Sequence, residues 1–358
     1  MASQLKLLRT PAALVDAGLA PPERLAELER VAARYAVAIT PALADLMDRS
    51  DPEDPMARQF VPDGAELNVG ADERADPIGD EAHAPVDGIV HRYPDRVLLK
   101  LTDLCAAYCR FCFRRERVGQ GSGLLRPKVL AAALGYIRAH PQIWEVILSG
   151  GDPLMISARR LAALAAELAS IEHVKILRVH TRMPIAAPSR ITPALLRALE
   201  KSGKAVYVAV HVNHPRELSK EARRACARFV DAGIPLLSQT VLLRGVNDDA
   251  QMLGSLMRAL VECRIKPYYL HHGDLAPGTA HWRTSIARGQ SLMRALRGRY
   301  SGLCQPTYVL DIPGGHGKVP VGPQYLRGDA EASYEVEDSR GRRHRYQSTE
   351  VGRGTLAR

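Results

Sequence analysis

The stretch Leu101-Thr102-Asp103-Leu104-Cys105-Ala106-Ala107-Tyr108-Cys109-Arg110-Phe111-Cys112-Phe113-Arg114-Arg115 sets three thiols in a C-x3-C-x2-C array just behind the apolar run Val97-Leu98-Leu99. Such a run predicts a strand, which puts the cysteines on the loop leaving its C-terminal end. A structural zinc site takes four closed ligands, usually as two separated C-x2-C pairs, whereas three thiolates leave one iron of a four-iron four-sulfur (4Fe-4S) cluster without a protein ligand. The alternative is three buried cysteines with no metal, although free thiols in a core have no reason to gather on one loop.

Outward from this loop, apolar strand patterns alternate with helical ones. Strand candidates are Val146–Leu148, Val174–Val179, Ala205–His211, Leu236–Leu243 and Pro267–Leu270; helix-like stretches are Pro127–His140, Ser157–Ile171, Pro193–Ser202 and Lys220–Ala232. With the strand before the cysteines this makes six. The predicted fold class is α/β, a partial (β/α)6 barrel with functional groups at the strands' C-terminal ends; a doubly wound open sheet is the alternative. The expected organisation is a helical and covering segment over 1–88, the barrel over 89–285, a C-terminal segment over 286–328 and a polar tail over 329–358. Within the first segment, Pro21-Pro22 and Thr40-Pro41 can open helices, while 50–88 is rich in Pro, Asp and Gly and reads as extended. The tail balances six Arg against six acids with little apolar periodicity and is expected to be disordered or loosely attached.

A chain of 358 residues with 46% apolar and 25% charged residues can bury a large core. The first twenty residues are interrupted by Lys6, Arg9, Pro11 and Asp16, and no later apolar run is long enough for a bilayer, so neither a leader nor a membrane span is expected. An oxygen-labile cluster fits a reducing compartment, which makes the cytoplasm the expected location and Cys226, Cys263 and Cys304 free thiols. The net charge of +10 raises nucleic acid as a partner. Residues 41–90, however, carry thirteen acids against three Arg, and the basic excess over 100–130 lies around the cysteine loop, where it serves small anionic ligands equally well. With 5% aromatic residues there is little sign of a base-stacking surface, so nucleic acid is not the expected partner.

Polar groups recur at the predicted strand ends. The second strand ends in Ser149-Gly150-Gly151-Asp152-Pro153, where glycines allow close backbone approach to a ligand and Asp152 can cap the next segment. The fourth ends in His211-Val212-Asn213-His214, the fifth carries Ser238-Gln239, and the sixth leads to His271-His272-Gly273-Asp274. Farther on, Asp311-Ile312-Pro313-Gly314-Gly315-His316-Gly317-Lys318 places a lysine after a glycine-rich turn. In a pocket such a lysine can lose its charge and form a Schiff base with an aldehyde such as pyridoxal phosphate. In solvent it is only a turn.

Taken together, HRYPDRVLLKLTDLCAAYCRFCFRR, LSGGDP, HVNHP, SQTVLLRGVND, GDLAPGTAHWRT and VLDIPGGHGK, in this order, resemble the lysine 2,3-aminomutases over about residues 52–322. The resemblance implies a radical S-adenosylmethionine enzyme of the isomerase type that moves an amino group from the α- to the β-carbon of L-lysine, with pyridoxal 5′-phosphate as second cofactor. By it, Cys105, Cys109 and Cys112 ligate the cluster, and Gly150, Gly151, Asp152, His211 and Gln239 line the S-adenosylmethionine site. Lys318 holds pyridoxal phosphate, Arg92 and Arg96 approach its phosphate, Arg114 takes the substrate carboxylate, and Asp274 and Asp311 take its side-chain ammonium. An electron donor is implied as a partner, and oligomeric state is left open. No cysteine follows Cys304, so the zinc-binding C-terminal region of clostridial-type members is not expected. Phe113 and the reduced C-terminal region also resemble a branch acting on a lysine destined for, or already attached to, translation elongation factor P. From another class, an RNA-modifying radical enzyme or a non-catalytic iron–sulfur module is the alternative, against which Lys318 argues.

Overall fold

Val97, Leu99 and Leu101 are buried while Arg96, Leu98 and Lys100 between them are partly open, so the segment before the cysteines is a strand with one face in the core. The computed structural model describes residues 6–120, 123–330 and 333–347. Strand β1 (Ile89–Tyr93) turns through Pro94-Asp95 into β2 (Arg96–Thr102), and the two pair antiparallel. Then follow β3 (Glu145–Gly150), β4 (Ile176–Thr181), β5 (Ala205–His211), β6 (Leu236–Val241), β7 (Ile265–His271) and β8 (Thr307–Asp311), each parallel to the one before, and β9 (Lys318–Pro320), which returns antiparallel to β8.

The strand order is sequential from β1 to β9, with no reversal of the kind a doubly wound sheet requires. The sheet curls into an open half-barrel, whose concave face lines a single cavity with residues from β1 to β9. Successive parallel strands are joined by helices over Pro127–Arg138, Ala158–Ala169, Pro193–Glu200, Lys220–Asp231, Ala250–Glu262 and Ile286–Leu296. Several open on a side-chain cap: Ser157, Thr192, Ser219, Asp249 and Ser285 each accept a backbone N–H of the first turn. Their apolar faces and the outer face of the sheet form one continuous core.

Two expectations are corrected. The parallel strands number seven rather than six, because Thr307–Asp311 joins the sheet beside β7 through one more crossover helix. Its apolar run is short and abuts the glycine turn, which hid the strand character. The polar tail is also partly ordered: β10 (Leu326–Ala330), β11 (Ser333–Glu337) and β12 (Arg343–Gln347) form an antiparallel meander. Apolar residues are few, with Leu326 opposite Val336 and Tyr334 opposite Tyr346 on one face and charged residues on the other, where Glu335 lies 3.4 Å from Arg343. Arg294 ties the meander to the barrel through Glu337 at 3.3 Å. Residues 348–358 of the tail lie outside the described residues.

The N-terminal segment behaves as expected at Pro22–Arg24, which leads into the helix Leu25–Arg34 with Leu28 and Val31 buried. Thr40 caps only the short helix Pro41–Ala44. Residues 50–88 contain short turns and run across the cysteine loop and the loop after β7, anchored by Glu66, Glu73 and Asp80. Among the described residues, no helix is long and apolar enough to cross a membrane.

Candidate active site

The cysteine loop is held from three sides. Thr102, at the end of β2, accepts the N–H of Gly151 at 2.6 Å, and Leu104 O accepts that of Asp152 at 2.8 Å. Gly150 has φ +110°, and a Cβ there would lie 2.5 Å from Thr102 O; one on Gly151 would lie 2.3 Å from Leu104 O. The two glycines thus let β3 approach the cysteine loop, a backbone contact in addition to the expected approach of a ligand. From the N-terminal segment, the buried Glu66 accepts Arg110 Nε at 2.9 and 3.1 Å and also pairs with Arg115. Burial alone would push the Glu66 carboxyl up, but Arg110 and Arg115 outweigh it and hold the pKa below its ordinary value. From the residue that follows β4, the guanidinium of Arg182 donates through Nη1 to Cys109 Sγ at 2.8 Å.

Asp152 caps Leu154 N at 3.0 Å, as expected, and also accepts Thr181 Oγ1 at 2.7 Å and Arg182 N at 2.8 Å. Its carboxylate therefore ties the end of β3 to that of β4.

At the other end of the sheet, Asp311 on β8 and Lys318 on β9 are direct cross-strand partners. The glycine turn between them is clamped by the covering segment: a Cβ on Gly79 would lie 2.4 Å from Gly315 N, and His83 Nε2 stands 2.8 Å from Gly315 O. Tyr93 accepts Lys318 N–H at 2.7 Å, and Lys318 Nζ pairs with Asp311 and lies 3.2 Å from His271 Nδ1. Burial lowers the pKa of His271, and Lys318 lowers it further, leaving a neutral ring beside the amine. Burial would raise Asp311, but His271 and Lys318 hold it at about 2. Asp274 makes no side-chain hydrogen bond among the described residues, and burial, then the charge of Asp311, push it up to about 7.

All fourteen candidate residues line one cavity of about 560 Å³. Their partners differ from expectation in places. Arg92 is engaged by Ile78 O at 2.5 Å and Asp80 at 3.3 Å, with Asp311 at 3.9 Å, whereas Arg96 stacks 3.9 Å over Tyr93 and pairs with Asp95 at 2.6 Å. Arg114 donates to Asp80 at 2.8 Å and to Ser149 Oγ at 3.2 Å. His211 Nε2 is buried without a partner, and burial holds its ring well below the ordinary pKa. Gln239 Nε2 lies 3.4 Å from His180 Nε2.

Site residues not singled out in the sequence are Asp80, Arg178, His180, Arg182 and Tyr269, while His271 is noted there only as a polar group at a strand end. For Arg178 and His180 a signal exists: polar residues two apart in an otherwise apolar strand face the concave side. Arg178 pairs with Glu145 at 2.9 Å and keeps a buried Nε without a partner.

The three thiols fit a cluster better than a single ion. All face the cavity, yet among the described residues no three His, Cys, Asp or Glu come close enough to hold one ion, and a four-iron cluster takes each thiolate on a separate iron. Burial pushes the Cys112 thiol up to about 11 and Cys105 well above its ordinary value, so loading must displace protons. Lys318, beside a neutral imidazole in the same cavity, fits a carbonyl cofactor.

Comparison with known proteins agrees with this geometry. The family model described as the Radical SAM superfamily matches residues 99–255, which defines the chain as a radical S-adenosylmethionine protein, and the model described as Lysine-2,3-aminomutase matches residues 293–336. The chain is 45% identical over 290 residues to the L-lysine 2,3-aminomutase of Clostridium subterminale, covering 81% of this chain and 70% of that one. It is 44% identical over 305 residues to the L-lysine 2,3-aminomutase of Acetoanaerobium sticklandii, covering 85% and 73%, and 37% identical over 299 residues to the glutamate 2,3-aminomutase of Clostridioides difficile, covering 84% and 70%. The chain belongs to the lysine 2,3-aminomutase family and is an enzyme of the isomerase type. The family implies a 4Fe-4S cluster and S-adenosylmethionine, and its aminomutase members imply pyridoxal phosphate.

Proposed function

We propose that this enzyme converts L-lysine to β-lysine by moving the amino group to the adjacent carbon. The observation that carries the reading is that Cys105, Cys109 and Cys112 share one cavity with Lys318, Asp274 and Asp311. When bound, the cluster and S-adenosylmethionine supply a 5′-deoxyadenosyl radical, and pyridoxal phosphate supplies a conjugated carrier for the migrating nitrogen. Cys105, Cys109 and Cys112 hold the cluster; Gly150, Gly151, Asp152, His211 and Gln239 form the S-adenosylmethionine side of the cavity.

Lys318 must be unprotonated to react with an aldehyde, and the neutral His271 ring 3.2 Å from Nζ is placed to take that proton. A lysine substrate's ammonium would compete with Lys318 for Asp311 and would find in Asp274 a carboxylate that makes no side-chain hydrogen bond among the described residues. Both carboxylates are needed, since an unpaired buried charge is strongly unfavourable. A substrate carboxylate at Arg114 competes with Asp80 for the guanidinium. Arg92 and Arg96 remain the candidates for the cofactor phosphate, and that role requires each to exchange a carboxylate partner.

Relatives named for L-lysine favour the free amino acid over a lysine of elongation factor P. An RNA-modifying role finds no support in the basic stretch, because Arg110 and Arg115 are buried against Glu66 and Arg114 is held by Asp80. An external electron donor and a cytoplasmic location belong to the proposal through the cluster's need for reduction and its lability to oxygen. The test offers L-lysine, L-glutamate and lysine-bearing elongation factor P side by side to the reconstituted enzyme. Preference for glutamate or for the protein substrate would replace this reading.

A further inference from the structure

The three loop thiols are not equivalent. Among the described residues, the only side-chain hydrogen bond to any of them is the 2.8 Å bond from Arg182 Nη1 to Cys109 Sγ. Arg182 follows β4, which ends at Thr181, and its side chain is 8% exposed. The other end of its fork is fixed: Nη2 donates to Gln59 Oε1 at 2.7 Å and to Glu217 Oε2 at 2.6 Å. Glu217 is itself held by the backbone N–H groups of Asn213 and His214, each at 2.9 Å, and Gln59 donates to Glu217 at 3.3 Å. The guanidinium also packs over Phe60 at 4.5 Å and Phe111 at 5.6 Å. A planar fork pinned at Nη2 by two acceptors and on its face by two rings presents Nη1 to the thiol, while Nε is buried without a partner.

We propose that Arg182 is a positioning residue that sets the reduction potential of the cluster through Cys109, an inference that rests on the cluster reading above. Reduction adds one electron, and part of the added negative charge resides on the ligating sulfurs. A buried donor aimed at one of them stabilises the reduced form more than the oxidised form, because charge-assisted hydrogen bonds are strong in a low-dielectric setting. Hydrogen bonds to sulfur are a recognised determinant of cluster potential. Glu217 offsets the charge of Arg182 for the rest of the core while leaving the donor in place. The predicted consequence is a cluster that is harder to reduce when this donor is lost.

The test uses the full chain, reconstituted anaerobically, as wild type, Arg182→Lys and Arg182→Gln. Iron and sulfide are assayed, and the cluster is titrated with dithionite and followed by electron paramagnetic resonance without substrate. At a fixed potential, the reduced-to-oxidised ratio is expected to fall about tenfold in Arg182→Gln, about 59 mV for a one-electron couple, with Arg182→Lys between. A second measurement needs no variant to fold: in wild type grown with arginine carrying heavy nitrogen only at its guanidinium, a nitrogen coupling to the reduced cluster is expected. A loaded wild type without that coupling, or a loaded Arg182→Gln whose ratio stays within about twofold of wild type, overturns the inference while leaving the cluster reading intact. A wild type that takes up no iron overturns the cluster reading and the inference with it.

Discussion

Lys318 and Asp311 stand opposite each other across the antiparallel pair of β8 and β9, the ammonium of one paired with the carboxylate of the other. The pocket therefore carries its own lysine where a charged amine is stabilised. Lys318 thus occupies a carboxylate that a substrate ammonium would need, and Asp311 also lies 3.6 Å from His271 Nδ1 and 3.9 Å from Arg92. Lys318→Ala is expected to lose borohydride-trapped pyridoxal phosphate while keeping wild-type iron content, because the cysteine loop makes no bond to Lys318. Trapping of the cofactor on a different lysine would contradict the assignment.

Asp274 predicts a pH dependence in the ligand-free protein. The unfolded chain gives up this proton near 3.8 and the folded chain near 7, so burial destabilises the folded state progressively between these values and by a constant amount above them. Asp274→Asn should therefore leave the melting temperature nearly unchanged at pH 4 and raise it at pH 8, by a stabilisation on the order of 1–4 kcal/mol. Thermal unfolding across this range checks it; equal effects at both ends would show that Asp274 titrates normally.

Glu66 is the counter-charge of two buried arginines beside the cysteines. Glu66→Gln should cost about 3–5 kcal/mol in denaturant unfolding, the range for leaving a buried charge unpaired, and should lower iron loading. A variant as stable as wild type would mean that water reaches Arg110 and Arg115.

Gly151→Ala tests the contact between β3 and the loop. Its methyl group would meet Leu104 O at 2.3 Å, so the loop must move. Reduced iron uptake with an unchanged far-ultraviolet spectrum is expected, whereas unchanged uptake would show that the loop position is not critical to the cluster.

The parts of the site that were legible in the sequence are those whose chemistry is local. Three cysteines within eight residues and a lysine behind three glycines announce themselves without a partner, and Gly314, Gly315 and Gly317 do all adopt positive φ. The partial barrel was legible for the same reason, since each strand and helix carries its own period. What escaped depends on partners far away in the chain: Asp80 holding Arg92 and Arg114, Arg182 reaching Cys109, and Glu66 between Arg110 and Arg115. The reason for Gly150 and Gly151 was only half visible, because the backbone they approach belongs to another segment. The meander of the tail was missed because its alternation is confined to Tyr334 and Val336 in one five-residue strand, and its partner β12 is exposed along its whole length, too short a period to mark a strand.

The most direct test of the central claim is anaerobic turnover of free L-lysine by the enzyme reconstituted with iron, sulfide and pyridoxal phosphate, with S-adenosylmethionine and a reductant. The expected result is β-lysine formed by the wild type and by neither Cys109→Ala nor Lys318→Ala, with omission of either S-adenosylmethionine or pyridoxal phosphate abolishing it. No β-lysine from a fully loaded wild type, or β-lysine formed without Lys318, would contradict the account.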